Sequence, residues 1–536
     1  MKNKLTIIIA VVAILTVFCI VFSKMGTEVS TSVRTYQHEE NKHVDTTVGI
    51  TEIPEDGIVD NTFETHLPLV VLEADMDSII DIYTVSEGDK PRDYADPNVT
   101  NPWVDMKISI YDSDTGVNKV TDEPALYSDG LIKLRGFSSR RYEKRQYGIK
   151  LLDETGAERE ESILGMEADE DWVLGANTLD ATYLRNYVAY NIGGQIFPYT
   201  PETRFCEVLV KNGDNYEYLG LFLFSETVKQ SAGRVDIADF DENENRLSYI
   251  ICRDRKDLTK TTLSTWASES QICYGWFSFK YPKEELLTDP VVSKIEDQIS
   301  EIEKVLYSDD YETFLIYPEY INVDSFVDYF VVNEFFGNYD AGDNSTYYYQ
   351  DSSHDFSMGP LWDYDGCWDN YVAEVSNEDC LVYPEQPWFE KLVQDPSFNA
   401  LVVERYKELR RTIFSTEYVE EVIDETAAYL GNAVLRERSR WRATYEEQHL
   451  LDVVEDGRGY IIDRNRDTYE EEIIRVKDIM RAHAEWMDEY MDDYLANYVV
   501  EREAGYDVEA KSVAAVIFVV TFFIVIVLVN RKINGL

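Results

Sequence analysis

The feature that most constrains the fold is that strand-like segments come first along the chain and helical segments follow. Short apolar or alternating runs, which are typical of strands, begin at His66 and continue to Phe224. Beyond Pro396 the apolar residues recur almost entirely at helical spacing. No internal repeat or low-complexity linker interrupts residues 63–500. The sequence therefore predicts one α+β domain over 63–500, with a strand-rich N-terminal part and a helical C-terminal part.

Periodicity and turn residues locate the individual elements. We predict strands at 130–136, 147–152, 205–210 and 218–224, the last two joined by the turn sequence Lys211-Asn212-Gly213-Asp214. The predicted helices are 179–196, 291–307, 324–336, 397–415, 416–444 and 467–498.

Both ends of the chain are apolar. The runs 5–22 and 512–529 contain no charge and have cationic residues at their outer ends. Each is near the ~18-residue lower limit for a spanning helix, and the flanking cations predict that both termini lie in the cytoplasm. The large domain would then lie on the outer side of the cell membrane. The expected segments are an N-terminal anchor or signal segment at 1–24, a stalk at 25–62 and a transmembrane helix at 512–529.

The charge balance restricts the partners of the chain. It contains 102 Asp and Glu but only 50 Lys and Arg, which gives a net charge of -52. Such a surface repels nucleic-acid phosphates, so we expect no nucleic-acid binding. The acidity either keeps the protein soluble or favours cationic partners.

Residues 333–370 carry the clearest indication of chemistry. Asp340 directly follows a predicted helix, and a predicted hairpin over 346–361 would return the chain to Asp363 and Asp365. Phosphoryl transfer needs cations for the phosphates, carboxylates for a metal ion and a carboxylate that orients the acceptor. Mg²⁺ prefers oxygen ligands of this kind, and the basic strand-turn-strand at 133–150 could supply the cations.

Each of these features also has a structural interpretation. Turn carboxylates commonly accept backbone hydrogen bonds, and a basic segment can be a solvated surface. The sequence contains no Walker A, HExxH or GxSxG motif, and no EF-hand spacing supports a calcium-binding module.

Several short motifs occur in a fixed order along the chain. They are RGFSS at 135–139, KRQYGIK at 144–150, GAN at 175–177, LRN at 184–186, GLFLFSE at 220–226, NYD at 338–340 and LWDYD at 361–365. Together they resemble the signature of the spore-coat CotH-type family of atypical protein kinases, over about residues 65–480.

This resemblance implies an atypical protein-kinase-like fold, flanked here by the two predicted membrane helices, and a kinase that uses ATP with Mg²⁺ or Mn²⁺. Asp340 would be the catalytic aspartate and Asp363 the principal metal ligand, supported by Asp365 and Asn344. The protein substrate would be a Ser or Thr hydroxyl at the cell or spore surface. The implied nucleotide contacts are Lys144, Lys150 and Arg135, with Glu226 as a weaker candidate.

Four positions depart from the family pattern. Phe137 replaces an Asn, Arg145 replaces a Lys, Trp368-Asp369 stands where Phe-Gly is frequent, and Ser345 occupies the place of an Asn five residues after Asp340. A non-catalytic protein of surface or spore-coat assembly, which keeps the fold, is therefore the alternative to a kinase.

Overall fold

The computed structural model describes residues 44–499, with gaps at 86–92, 96–98, 100, 138, 256–259, 273–274, 353–354, 371–379 and 447–465. The strands are β1 (Ile58–Val59), β2 (Glu64–Thr65), β3 (Leu69–Ala74), β4 (Tyr83–Val85), β5 (Asp93–Ala95), β6 (Val104–Tyr111), β7 (Asn118–Lys119), β8 (Leu126–Leu134), β9 (Tyr147–Leu152), β10 (Asp171–Gly175), β11 (Thr203–Asn212), β12 (Asn215–Glu226), β13 (Tyr249–Asp254), β14 (Trp276–Tyr281), β15 (Thr346–Gln350) and β16 (Ser357–Met358).

The helices are α1 (Arg185–Gly193), α2 (Trp266–Glu269), α3 (Asp289–Leu306), α4 (Tyr311–Phe314), α5 (Val323–Phe336), α6 (Phe389–Leu392), α7 (Pro396–Arg410), α8 (Thr416–Arg440), α9 (Arg442–Tyr445) and α10 (Tyr469–Ala496). Short 3-10 helices occur at Met76–Ser78, Ser139–Arg141, Glu284–Leu286, Tyr317–Glu319 and Tyr383–Glu385.

A closed sheet forms the strand-rich part of the fold. Its seven strands follow the order β12-β10-β9-β8-β6-β3-β11, and β11 closes the ring by pairing with both β3 and β12. The β3–β11 pair is parallel, and the other neighbours are antiparallel. Ile132, Ile149 and Phe222 point into its apolar interior. Because side chains alternate along a strand, Lys133 and Lys150 lie on the outer face.

A second sheet and the helices surround a larger apolar core. This sheet is antiparallel, with the order β14-β13-β15-β16. Helix α5 contributes Phe326, Phe330 and Phe335 to the core. It begins at the N-cap Asn322, whose side chain accepts a hydrogen bond from the Ser325 backbone, and it ends at Gly337 with a left-handed backbone. This ending fixes where the chain leaves the helix towards Asp340.

Helix α8 returns to the closed sheet through buried charges. Arg436 pairs with Glu207 at 2.7 Å, and Glu437 pairs with Lys144 at 2.6 Å. The helix is interrupted at Gly431, where φ is 43°. A Cβ at this glycine would lie 2.4 Å from the backbone oxygen of Thr46, so only glycine permits the close approach. The ion pairs and this contact tie α8 to the N-terminal part of the described chain.

The structure corrects the predicted fold class. The prediction of a kinase-like fold contained no closed sheet, whereas the strand-rich part is a closed ring of seven strands. The ring escaped prediction because the β3–β11 pair joins residues that are distant in sequence, Leu69–Leu72 and Glu207–Val210. The helices do follow in the C-terminal part, as predicted.

The predicted membrane topology is also corrected. Among the residues that the structure describes, no helix combines the length and the apolar character needed to cross a membrane. The prediction of flanking membrane helices, and of a membrane-anchored protein with both termini in the cytoplasm, is therefore not retained. The runs 5–22 and 512–529, on which it depended, lie outside the described residues.

Candidate active site

Asp340 is positioned by the turn that follows helix α5. Its carboxylate oxygen Oδ1 accepts a hydrogen bond of 2.7 Å from Nδ2 of Asn344. The backbone of the same two residues is also joined, because the Asn344 N–H donates to the Asp340 carbonyl at 3.0 Å. Burial and the neighbouring Asp363 raise the pKa of Asp340 to about 6, while the Asn344 bond opposes the shift. The carboxylate is thus oriented and has a pKa close to neutrality.

Asp363 is held by the residue after Asn344. The Ser345 hydroxyl donates a hydrogen bond of 2.9 Å to Oδ2 of Asp363. Two consecutive residues therefore bring the carboxylates of Asp340 and Asp363 to one place. Both Ser345 and Asp363 have a left-handed backbone, with φ of 48° and 66°. Such conformations cost of order 1 kcal/mol or more in a non-glycine residue and gather at functional sites.

Helix α1 supports the segment that carries Asp363. The Asp363 N–H donates to the Tyr190 hydroxyl at 3.1 Å, and the Tyr364 N–H donates to Oδ1 of Asn186 at 2.7 Å. Arg185 adds a bond of 2.9 Å from Nε to the Cys367 carbonyl. Arg185 and Asn186 belong to the LRN motif, so this motif fixes the backbone of the carboxylate loop.

The site carries an excess of negative charge that a metal ion would relieve. Burial raises the pKa of Asp363, and both burial and Asp363 raise the pKa of Asp365 well above its usual range. None of Asp340, Asp363 and Asp365 forms an ion pair with another described residue. Carboxylates and the Asn344 amide oxygen are the hard donors that Mg²⁺ and Mn²⁺ take. Their chemistry suits a divalent cation, although the oxygens of Asp340, Asp363 and Asp365 do not all lie within 4.8 Å of one another, as those of Asp169, Glu170 and Asp171 do.

Cationic side chains flank the carboxylates. The Arg135 guanidinium stacks over the Trp362 ring, 4.8 Å from its centroid, and Arg255 lies 5.1 Å from the centroid of Phe137. Both arginines lower the pKa of Asp363, against the effect of burial. Arg135, which the family resemblance implies as a nucleotide contact, therefore lies beside Asp363, the implied metal ligand. Phe137, a departure from the family pattern, packs against Arg255.

The other predicted nucleotide contacts are engaged elsewhere. Lys144 is 1% exposed and donates to Glu437 at 2.6 Å and to the Leu221 carbonyl at 2.5 Å. Lys150 forms ion pairs of 3.0 Å with both Asp171 and Glu158. The structure does not join either lysine to the Asp340–Asp363 pair, and their binding to a nucleotide stays a prediction.

Glu226 lies beside a separate charged cluster. One of its oxygens accepts a hydrogen bond of 2.8 Å from the Glu202 backbone, and the other is 4.0 Å from Arg234. Nearby, carboxylate oxygens of Asp169, Glu170 and Asp171 lie within 4.8 Å of one another. Lys229 pairs with all three, at 3.1, 2.6 and 3.6 Å. This cluster is neutralised within the fold, unlike the carboxylates around Asp363.

Sequence reasoning missed the residues that hold the carboxylates in place. Ser345 was identified only as a departure, yet it binds Asp363 directly. Tyr190 gave no signal, since an aromatic residue in a predicted helix usually belongs to the core. The LRN motif was found through the family resemblance, but its contact with the loop after Trp362 could not be read from spacing.

The site places buried oxygen donors beside cations, a chemistry suited to a metal ion and an anionic ligand. The model of the CotH kinase protein family matches residues 132–487, which include the site described above. The chain belongs to this family. A comparison with curated proteins found no match.

Proposed function

We propose that this protein is a phosphotransferase, which transfers the γ-phosphoryl group of ATP to a Ser or Thr hydroxyl of a cell-surface or spore-coat protein. The observation that carries the proposal is the joint placement of Asp340 and Asp363 by Asn344 and Ser345. Phosphoryl transfer depends mainly on positioning and on stabilisation of charge, and two oriented carboxylates serve both needs.

Each side chain has a role that follows from its contacts. Asp340, oriented by Asn344, would accept a hydrogen bond from the acceptor hydroxyl and later its proton. With a pKa of about 6 it is largely ionised at neutral pH and so able to accept that proton. Asp363, Asp365 and the amide oxygen of Asn344 would hold Mg²⁺ or Mn²⁺, which when bound would neutralise charge on the phosphates. Arg135 would offer its planar guanidinium to a phosphate.

The test is transfer of labelled phosphate from ATP to a panel of surface and coat proteins, with Mg²⁺ or Mn²⁺ present. We expect Asp363→Asn to lower the rate by about 1,000-fold or more, because it removes a charged group needed in the transition state. The exposed Asp309 is a matched control, and Asp309→Asn should act like the wild type. Wild-type activity of Asp363→Asn would refute the assignment.

A non-catalytic protein of surface or spore-coat assembly is the second candidate. It is favoured by the burial of Lys144, a lysine of the family signature, in an ion pair with Glu437. Calorimetric titration with Mg-ATP separates the two candidates. Absence of binding to the wild-type protein would favour assembly, whereas binding that Asp363→Asn abolishes would favour phosphoryl transfer.

A further inference from the structure

Three half-buried cations of this acidic protein form no ion pair with a residue that the structure describes. Lys133 and Arg135 lie two residues apart at the end of β8, and Lys280 lies on β14 of the second sheet. None of these three side chains forms an ion pair or a hydrogen bond with any residue that the structure describes. The chain has about two acidic residues for each basic one, 102 against 50. Half-buried cations without a partner are therefore unexpected here.

Each of the three cations instead rests on an aromatic ring. Lys133 lies 4.4 Å from the centroid of Trp103, Arg135 4.8 Å from Trp362, and Lys280 5.6 Å from Tyr347. Cation–π contacts hold a charge in place without neutralising it. The charges therefore stay available to an anion.

The cations crowd one another. Lys260 and burial are the main causes that lower the pKa of Lys280 to about 8, and Arg135 adds to the effect. Cys252 and Asp254, which also face Lys280, oppose the shift without reversing it. At Lys280, burial and the neighbouring cations thus outweigh the neighbouring acidic groups.

The crowded cations border the carboxylate site. Arg135 stacks on Trp362, which immediately precedes Asp363, and it lowers the pKa of that carboxyl against the effect of burial. Tyr347, the ring beneath Lys280, follows Ser345 by two residues on β15. A polyanion that reaches the carboxylates through a metal ion would therefore meet cations from both sheets.

We infer that Lys280 and Arg135, supported by Lys133, bind the polyphosphate chain of the nucleotide. The inference rests on the proposed function and adds Lys280 to it, a residue outside the motifs quoted above. Lys144 and Lys150 already have carboxylate partners at 2.6 and 3.0 Å. Releasing Lys144 for a ligand would leave Glu437 buried and unpaired, at a high cost. Lys280 is free of that cost.

Binding by Lys280 has a thermodynamic signature. At pH 8 about half of the Lys280 side chains are neutral in the ligand-free protein. A bound polyphosphate stabilises the ammonium form and raises its pKa, so Lys280 takes up a proton on binding. Affinity should therefore fall as the pH rises above 8. Arg135 stays charged throughout and contributes no uptake.

The experiment is calorimetric titration of the intact protein with inorganic tripolyphosphate and Mg²⁺ at pH 8. Titrations in two buffers that differ in ionisation enthalpy give the number of protons taken up. We expect the wild type to take up about half a proton more per ligand than a variant without Lys280, because protons that the carboxylates release to Mg²⁺ are common to both proteins. Lys280→Met should weaken binding roughly 10- to 100-fold, because one charged contact is lost, and should lack the half proton that Lys280 takes up.

Two further variants make the test specific. Lys280→Arg keeps the charge, so it should bind within a few-fold of the wild type but without the half proton that Lys280 takes up. Lys304 is exposed on α3, and Lys304→Met should match the wild type in affinity and in uptake. If Lys280→Met fails to fold, Lys280→Arg alone tests the inference. In that variant the proton uptake should differ from that of the wild type, whereas the affinity should be similar.

The outcomes separate this inference from the proposed function. Wild-type binding and uptake in Lys280→Met, or no binding by the wild type, would overturn the inference, whether or not phosphate is transferred. Binding that depends on Lys280, in a protein that transfers no phosphate, would support the polyphosphate site and refute the phosphotransferase.

Discussion

Two groups of buried charges in this protein differ in how they are paired. Where α8 meets the closed sheet, Lys144 lies 2.6 Å from Glu437 and Arg436 lies 2.7 Å from Glu207. Around Asp363 the carboxylates and the cations are neighbours, yet they form no ion pair with a described residue. In the first group each charged side chain is paired with one of opposite charge within the fold. In the second group, the carboxylates have no paired cation and the cations have no paired anion. A metal ion bound by the carboxylates and a polyphosphate bound by the cations would balance these charges.

The largest effect is expected from breaking the paired group. Lys144→Met leaves Glu437 buried without its cation and should lower the free energy of unfolding by about 3–5 kcal/mol. Denaturation by urea measures this loss. The double variant Lys144→Met with Glu437→Gln should recover part of it, and Lys304→Met serves as control.

Unchanged stability of Lys144→Met would contradict the structural role of the Lys144–Glu437 pair. If Lys144→Met kept its stability but lost affinity for Mg-ATP, Lys144 would be the nucleotide contact that the family resemblance implies. The Lys144–Glu437 pair would then belong to the nucleotide-binding site and not to the set of structural ion pairs.

A smaller effect of opposite sign is expected at Asp340. The pKa of Asp340 is about 6 in the folded protein against an ordinary value of 3.8, so ionisation opposes folding. This cost is fully present above pH 6 and disappears as the pH falls from 6 towards 4. Without metal, Asp340→Asn should exceed the wild type in stability by about 1–2 kcal/mol at pH 7.5, after allowance for partial exposure.

The pH dependence of that difference distinguishes a functional carboxylate from a structural one. Unfolding curves at several pH values should converge for wild type and Asp340→Asn near pH 4. A variant that is less stable than the wild type at pH 7.5 would show that Asp340 stabilises its turn.

The smallest effect is expected at Ser345. Ser345→Ala removes the hydrogen bond of 2.9 Å to Asp363, which orients that carboxylate. We expect affinity for Mg²⁺ to fall about 10-fold, as for other groups that orient a metal ligand, with stability changed by about 1 kcal/mol or less. Calorimetric titration with Mg²⁺ measures the change. Unaltered affinity would mean that Asp363 needs no support from Ser345.

Much of the local structure follows from the sequence. The predicted strand at 147–152 coincides with β9 (Tyr147–Leu152), and the predicted helix at 324–336 differs from α5 (Val323–Phe336) by one residue. Apolar periodicity, N-caps and turn residues determine these elements locally. Closure of the sheet is different, because it depends on pairing between β3 and β11 across more than a hundred residues.

The site was predictable only in part. The hairpin prediction placed Asp340 near Asp363, and the structure joins them through Asn344 and Ser345. The roles of both carboxylates stay predictions. The basic segment suggested Lys144, whose partner Glu437 lies 293 positions further along the chain. No local sequence pattern predicts an ion pair between residues so far apart. Nor does any local pattern predict that Lys280 forms no ion pair with a described residue.

Thermal unfolding of the wild type and Asp363→Asn, each with and without Mg²⁺, tests most directly whether the carboxylates form a metal centre. Without Mg²⁺ the variant should be at least as stable as the wild type, because one of several crowded like charges is gone. Mg²⁺ should raise the melting temperature of the wild type, since a bound ion stabilises the folded state, and should leave the variant unchanged. A variant that is destabilised without metal, and stabilised by Mg²⁺ as much as the wild type, would contradict the account.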